Sequence, residues 1–209
     1  MKFETQKFFI AVALGTTLIF TGKVWAEDMP AAAEMSAEEK AKQDEMMAKW
    51  MEYATPNENH QALEQLVGNW DTSMKAWMPG KETAEESNGT SSIQWILGGR
   101  FIQQTFTGMH MGQPFEGIGI TGYDNQKKKY QSTWIDNMGT GMMTATLNYD
   151  PITKTFSEEG SFSCPMKGGD LNYRAAIKII DETHYSYEMY TTDESGTESK
   201  MMEIQYTRK

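Results

Sequence analysis

The chain has 209 residues, 39% of them apolar, and carries a formal charge of −10 with a pI near 4.8. An acidic surface excludes nucleic acid and anionic lipid as partners, since both require positive charge. Cys164 is the sole cysteine, so an intramolecular disulfide is excluded and stability must come from packing.

The first residues combine basic Lys2 and Lys7, an apolar stretch from Phe8 to Phe20 and the small-residue ending Val24-Trp25-Ala26 before Glu27 and Asp28. That order predicts a secretory signal peptide, residues 1–26, cut after Ala26. The apolar run is shorter than the roughly 20 residues that span a bilayer, so no membrane span is expected after cleavage. No Cys stands at the cut to carry a lipid, and release to the periplasm or the medium is the expected localisation. Cleavage removes Lys2, Lys7, Lys23 and Glu4, which leaves 16 basic against 28 acidic residues, or −12.

Residues 27–56 form an acidic, Met-rich arm without glycine. Ser36 and Glu39 make an S-x-x-E capping box that predicts a helix from about Ala37 to Tyr53. Met47, Trp50, Met51 and Ala54 recur at helical spacing and form one apolar stripe. The stripe requires a partner: either the domain's own barrel, across an open end, or another protein.

From residue 57 to 209 the pattern changes to short segments rich in Thr, Tyr, Ile, Trp and Phe, punctuated every 8 to 12 positions, as in a sandwich or barrel. Ten strands are predicted, near residues 67–78, 88–97, 100–108, 115–123, 129–137, 141–149, 154–163, 170–180, 184–192 and 198–208. The turns between them carry residues suited to positive φ or preset geometry: Gly98-Gly99, Asp124-Asn125, Asp150-Pro151 and Ser195-Gly196. Their shortness predicts an all-β, antiparallel, up-and-down order. Alternation sets Leu171, Tyr173, Ala175, Ile177 and Ile179 on one face against Asn172, Arg174 and Lys178, and Met202, Ile204 and Tyr206 against Glu203, Gln205 and Thr207. Arg208 shares the apolar face, where a cation requires an aromatic ring or a carboxylate.

Gly68-Asn69-Trp70 resembles the G-x-W of lipocalins and other calycins, in which the tryptophan closes the barrel base under an arginine near the C-terminus. The resemblance implies that Trp70 and Arg208 are that pair. More narrowly, several motifs are similar to a bacterial exported domain-of-unknown-function family of lipocalin-like barrels. They are Leu66-Val67-Gly68-Asn69-Trp70, Trp95-Ile96-Leu97-Gly98-Gly99-Arg100-Phe101, Pro114-Phe115-Glu116-Gly117, Gly122-Tyr123-Asp124-Asn125, Ser132-Thr133-Trp134-Ile135-Asp136, and Met201-Met202-Glu203-Ile204 followed by Tyr206-Thr207-Arg208-Lys209. The similarity implies a barrel and assigns no reaction.

Single residues of chemical interest have bland explanations that outweigh the functional ones. His60 reads as a surface or capping residue. His184 reads as a turn residue facing water, although some calycins bind haem through a histidine; no haem motif accompanies it, and no cofactor is expected. Met109-His110-Met111 carries donors that suit Cu(I), but strand alternation would split the sulfurs from the imidazole, and flanking Gly108 and Gly112 favour a hairpin turn. No metal site is expected. Glu158-Glu159 and Asp193-Glu194 splay to opposite sides and read as solvated charge. Asp136, two residues after Trp134, is either a barrel-end carboxylate or a cap of the following turn. Cys164 reads as a passive thiol at a strand end. Gly117 and Gly119 leave a bare patch, either a gap inside the barrel or room for Trp95 or Phe101. No nucleophile elbow, phosphate loop, H-E-x-x-H or C-x-x-C is present, so no catalytic residue is assigned.

These features predict a noncatalytic envelope binding protein whose barrel holds a small apolar or amphipathic ligand. Trp95, Phe101, Tyr130, Trp134, Met142 and Tyr173 are expected to line its pocket. The alternative is a structural or interaction protein with a side-chain-filled barrel, acting through the N-terminal helix or as a homodimer. Catalysis or metal binding by His110, His184 or Asp136 is the third reading.

Overall fold

A computed structural model of the chain describes residues 35–78, 81–192 and 196–209. The expected signal peptide and Asp193-Glu194 lie outside them. The chain divides into two units, Met1–Gln43 and Asp44–Lys209. In the described part of the first, Ser36 caps the helix α1 (Ala37–Ala54) reciprocally with Glu39: the Glu39 N–H donates to Ser36 Oγ, and the Ser36 N–H donates to Glu39 Oε2 at 2.8 Å.

The second unit is a closed antiparallel barrel of ten strands in the order β1-β10-β9-β8-β7-β6-β5-β4-β3-β2. The strands are β1 (Gly68–Ala76), β2 (Glu85–Ile96), β3 (Phe101–His110), β4 (Gln113–Asp124), β5 (Lys129–Asp136), β6 (Met143–Asp150), β7 (Thr155–Cys164), β8 (Gly169–Ile179), β9 (His184–Thr192) and β10 (Glu198–Arg208). Each pairs with its neighbour in sequence, and β10 closes on β1 with Trp70 opposite Arg208. Closure leaves no free edge, which is how an up-and-down sheet avoids pairing with other chains. Period 2 then sends alternate residues inward: Trp70, Thr72 and Met74 of β1 are buried while Asn69, Asp71 and Ser73 face out.

Tight turns follow from local chemistry. Met111 and Gly112 turn β3 into β4 with φ of 50° and 72°, a pair of positive values that matches the twist of a two-residue hairpin.

Up-and-down order places the β2–β3, β4–β5, β6–β7 and β8–β9 turns at one end, and this end is plugged. A short helix α2 (Glu58–Gln61) and a 3-10 turn (Ala62–Leu66) set Leu63 and Leu66, 0% and 4% exposed, against Trp70, Leu147 and Phe156. Asn125 of the β4–β5 turn donates to the carbonyl oxygens of Tyr53 and Thr55, both at 2.9 Å, and Arg100 donates to Ala54 O at 2.8 Å. These side chains satisfy carbonyls that the end of a helix leaves open.

The arm's apolar stripe is not covered by the barrel among the described residues. Met47, Trp50 and Met51 remain 54%, 60% and 60% exposed, so of the two expected partners the chain's own barrel is excluded here. The last turn of α1 is held through its backbone carbonyls and leaves those side chains outward.

Candidate functional site: the barrel lumen

At the plugged end the Arg208 guanidinium lies 4.1 Å over the Trp70 ring. It donates to the carbonyls of Val67 at 2.7 Å, Glu182 at 2.8 Å and Gln65 at 3.3 Å. The Trp70 indole N–H donates to Leu66 O at 2.9 Å, and its ring meets Tyr185 edge-on at 4.7 Å. Tyr130 donates its hydroxyl to Asn59 O at 2.8 Å, and burial together with Tyr123 and Tyr149 raises its pKa to about 12. His60 caps α2, accepting from the Asn57 N–H at 3.1 Å. It is 5% exposed rather than on the surface, because its ring packs against Tyr123. Burial pulls its pKa down.

Above the plug the lumen becomes polar. Glu158 of β7 points inward, 7% exposed, and accepts a 2.6 Å hydrogen bond from the Tyr173 hydroxyl of β8. Desolvation holds its carboxyl above the ordinary carboxylate range, partly offset by that bond. It was expected as solvated charge; instead it sits between Phe156 and Gly160 on the inner face, while Glu159 faces out. Alternation carries the signal, since Phe156, Glu158 and Phe162 share parity and place the carboxyl in an apolar row. Across the lumen Gln104 donates to Ser91 Oγ at 2.9 Å, and Thr72 Oγ1 is buried with no hydrogen-bond partner among the described residues.

Tyr187 of β9 lies deep in the barrel, and burial together with the nearby Glu158 pushes its hydroxyl pKa well up. Part of its surface is nevertheless uncovered, as is that of inward-facing Ile177 and Met202 beside it. Side chains that point into a closed barrel and keep uncovered surface border an internal space.

The opposite end is lined by aromatic side chains. Phe115 stacks on Trp134 at 6.5 Å and meets Phe106 edge-on at 5.8 Å. Trp134 lies flat over Gly117 and Gly119, where added Cβ atoms would collide with or crowd its ring, so the bare patch receives Trp134 rather than Trp95 or Phe101. Its indole N–H donates to Asp136 at 3.0 Å, and Asp136 also accepts from the Met138 N–H at 2.9 Å, so this carboxylate both faces inward and caps the turn. The loops of this end carry exposed methionines, Met78, Met111, Met138, Met142 and Met166, 43% to 93% exposed, and Met109 near the end of β3 is exposed beside them.

The residues expected to line a pocket separate into three groups. Trp134 and Tyr173 face inward above the plug, Tyr173 within a buried cluster. Trp95 and Tyr130 belong to the plug, Trp95 packing against its core and donating to Glu64. Phe101 and Met142 are corrected. Phe101 faces outward over Gly122, because the Leu97-to-Arg100 turn starts β3 with the opposite parity. Met142 lies in the loop before β6, 61% exposed.

The remaining candidates stay apart. His184 pairs with Asp181 in an exposed turn, His110 packs against Phe115 at the end opposite the plug, and Cys164 is a free, half-buried thiol. Among the described residues no three His, Cys, Asp or Glu side chains gather as a metal site. A concavity of about 850 Å³ is bordered mostly by outward-facing residues, among them Gln131, Thr144, Thr146, Asn172 and Arg174, together with Ala145 and Tyr173 of the inner face.

Fold and lumen together define a lipocalin-like, closed ten-stranded barrel plugged at one end. The sequence model of the family described as a protein of unknown function, DUF1579, matches residues 55–208, and the chain belongs to that family. A comparison with curated proteins finds no match in sequence. Among solved structures, Rv2717c from M. tuberculosis is 15% identical with a TM-score of 0.55, covering 71% of this chain and 96% of its own. The likeness shows the fold alone. A de novo designed fluorescence-activating barrel (14% identity, TM-score 0.40, covering 71% and 97%) and the redesigned barrel mFAP0 bound to DFHBI (15%, 0.36, covering 69% and 99%) are more distant.

Proposed function

We propose that the protein is an exported binding protein of the cell envelope that admits a small apolar or amphipathic molecule through the end opposite the plug and holds it in the lumen. The observation that carries this reading is the partly uncovered surface of Tyr187, Ile177 and Met202 deep inside a closed barrel. The end opposite the plug supports it: Phe115, Trp134, Met143 and Phe162 offer apolar contact, and the surrounding methionines are flexible and polarisable, suited to a rim that adapts to its ligand. Export rests on the basic start, apolar run and Val-Trp-Ala cut of residues 1–26.

Native mass spectrometry of protein exported by its own signal tests both parts. The expected results are a chain beginning at Glu27 and a reproducible added mass in the small-molecule range that is released on denaturation. A bare mass from several preparations, with no binding of apolar probes, overturns the ligand reading.

A second reading, an interaction protein working through α1, is favoured by the uncovered Met47, Trp50 and Met51. Substituting these three by Ser leaves ligand content unchanged under the first reading and abolishes partner capture under the second.

A further inference from the structure

We infer that the lumen selects an apolar molecule whose polar end is a hydrogen-bond donor, an amine above all, and rejects one ending in a carboxylate. The inference rests on the proposed ligand-binding role and names the chemistry of that same site.

Among the described residues the lumen wall above the plug offers an acceptor, the Glu158 carboxyl, with no cation facing it. Glu158, inward-facing and 7% exposed, has a single hydrogen-bond partner among the described residues, the Tyr173 hydroxyl on Oε1. Its other oxygen is therefore open to a donor. The strands flanking it present Leu147 and Ala175 at its level, and the titratable groups facing it are the phenols Tyr173 and Tyr187.

Basic residues on the strands point elsewhere. Lys75 pairs with Glu86, Arg174 with Glu198, and Lys200 with Glu188 and Glu203, all on the outer surface. Arg208 is the inward-facing exception, and its guanidinium is committed to Trp70 and three carbonyls in the plug. A fatty-acid carboxylate entering the lumen would meet Glu158 with no compensating charge. A protonated amine or a hydroxyl would donate to it, and a charge-assisted bond in a water-poor space is the stronger of the two.

The test is calorimetric titration of the exported chain with octylamine, octanol and octanoate at pH 7.5, for wild type and Glu158→Gln. The alkyl part is the same throughout, so differences report the polar end. The expected order is amine, then alcohol, then carboxylate, with about tenfold or more between amine and carboxylate. In Glu158→Gln the preference for amine falls to within about threefold while octanol affinity is retained; Glu159→Gln, its neighbour on the outer face, retains the amine preference. Octanoate binding as tightly as octylamine, or an amine preference unchanged in Glu158→Gln, overturns the inference and leaves the binding role standing. Failure of all three probes to bind overturns the inference together with the binding role. The wild-type series decides the order even where the variant folds poorly.

Discussion

Trp70 and Arg208, at opposite ends of the barrel sequence, face each other across the β1–β10 seam with the guanidinium 4.1 Å above the indole ring. The contact sits where the first and last strands meet, so it fastens closure. The three carbonyls that Arg208 engages belong to the 3-10 turn region and the β8–β9 turn, which ties the plug to the strands it covers.

Arg208→Ala removes a cation–π contact worth about 1 to 2 kcal/mol when partly desolvated, plus hydrogen bonds worth about 1 kcal/mol each. Urea unfolding is expected to show a loss of about 4 to 5 kcal/mol. Arg208→Lys recovers only part of it, since an ammonium lacks the planar fork. A lysine variant as stable as wild type would remove the guanidinium geometry from the account.

The Glu158 carboxyl has its pKa raised by burial above the ordinary 4.5. Between those two values the folded state binds more protons than the unfolded chain, so stability falls as pH rises through the window. Glu158→Gln keeps an acceptor for Tyr173 and removes the charge. Its melting temperature is expected to exceed that of wild type by an amount that is small near pH 4.5, grows with pH and levels off above the folded-state pKa. A variant equally destabilised at all pH values contradicts a desolvated carboxylate.

Gly117→Ala introduces a Cβ into the six-membered ring of Trp134, whereas Gly169→Ala meets open space. The first is expected to cost about 1 to 3 kcal/mol through displacement of the indole and to alter near-ultraviolet circular dichroism. The second is expected to change neither. Equal stability of the two variants would mean that Trp134 does not rest on the glycine.

Asn125→Ala frees the carbonyls of Tyr53 and Thr55, and Arg100→Ala frees that of Ala54. Because these contacts hold residues 53–55 and make no strand pairing, the double variant is expected to speed amide exchange in residues 44–56 while leaving β5 and β8 protected. Uniformly faster exchange across the barrel would show that these contacts support the stability of the whole barrel and not of this end alone.

The sequence alone determined the class of the domain. Thr-, Tyr- and Trp-rich segments with short turns dictate ten antiparallel strands, and alternation in β8 and β10 set their inner faces, because side-chain direction in a strand is a local, period-2 property. The Trp70–Arg208 pairing was legible for the same reason, helped by the likeness to calycins. Glu158 was legible in principle from its parity with Phe156 and Phe162, but two adjacent glutamates look like solvated charge until the strand is placed. The orientation of Phe101 depended on a four-residue turn whose parity no pattern declared, and the exposed face of α1 depended on which surface the helix met. Only the tertiary structure decided which inward residues form the plug and which border the lumen, since period 2 gives direction without height along the barrel axis. That height is set by register and by the chain segment that fills one end, both products of contacts between residues far apart in sequence.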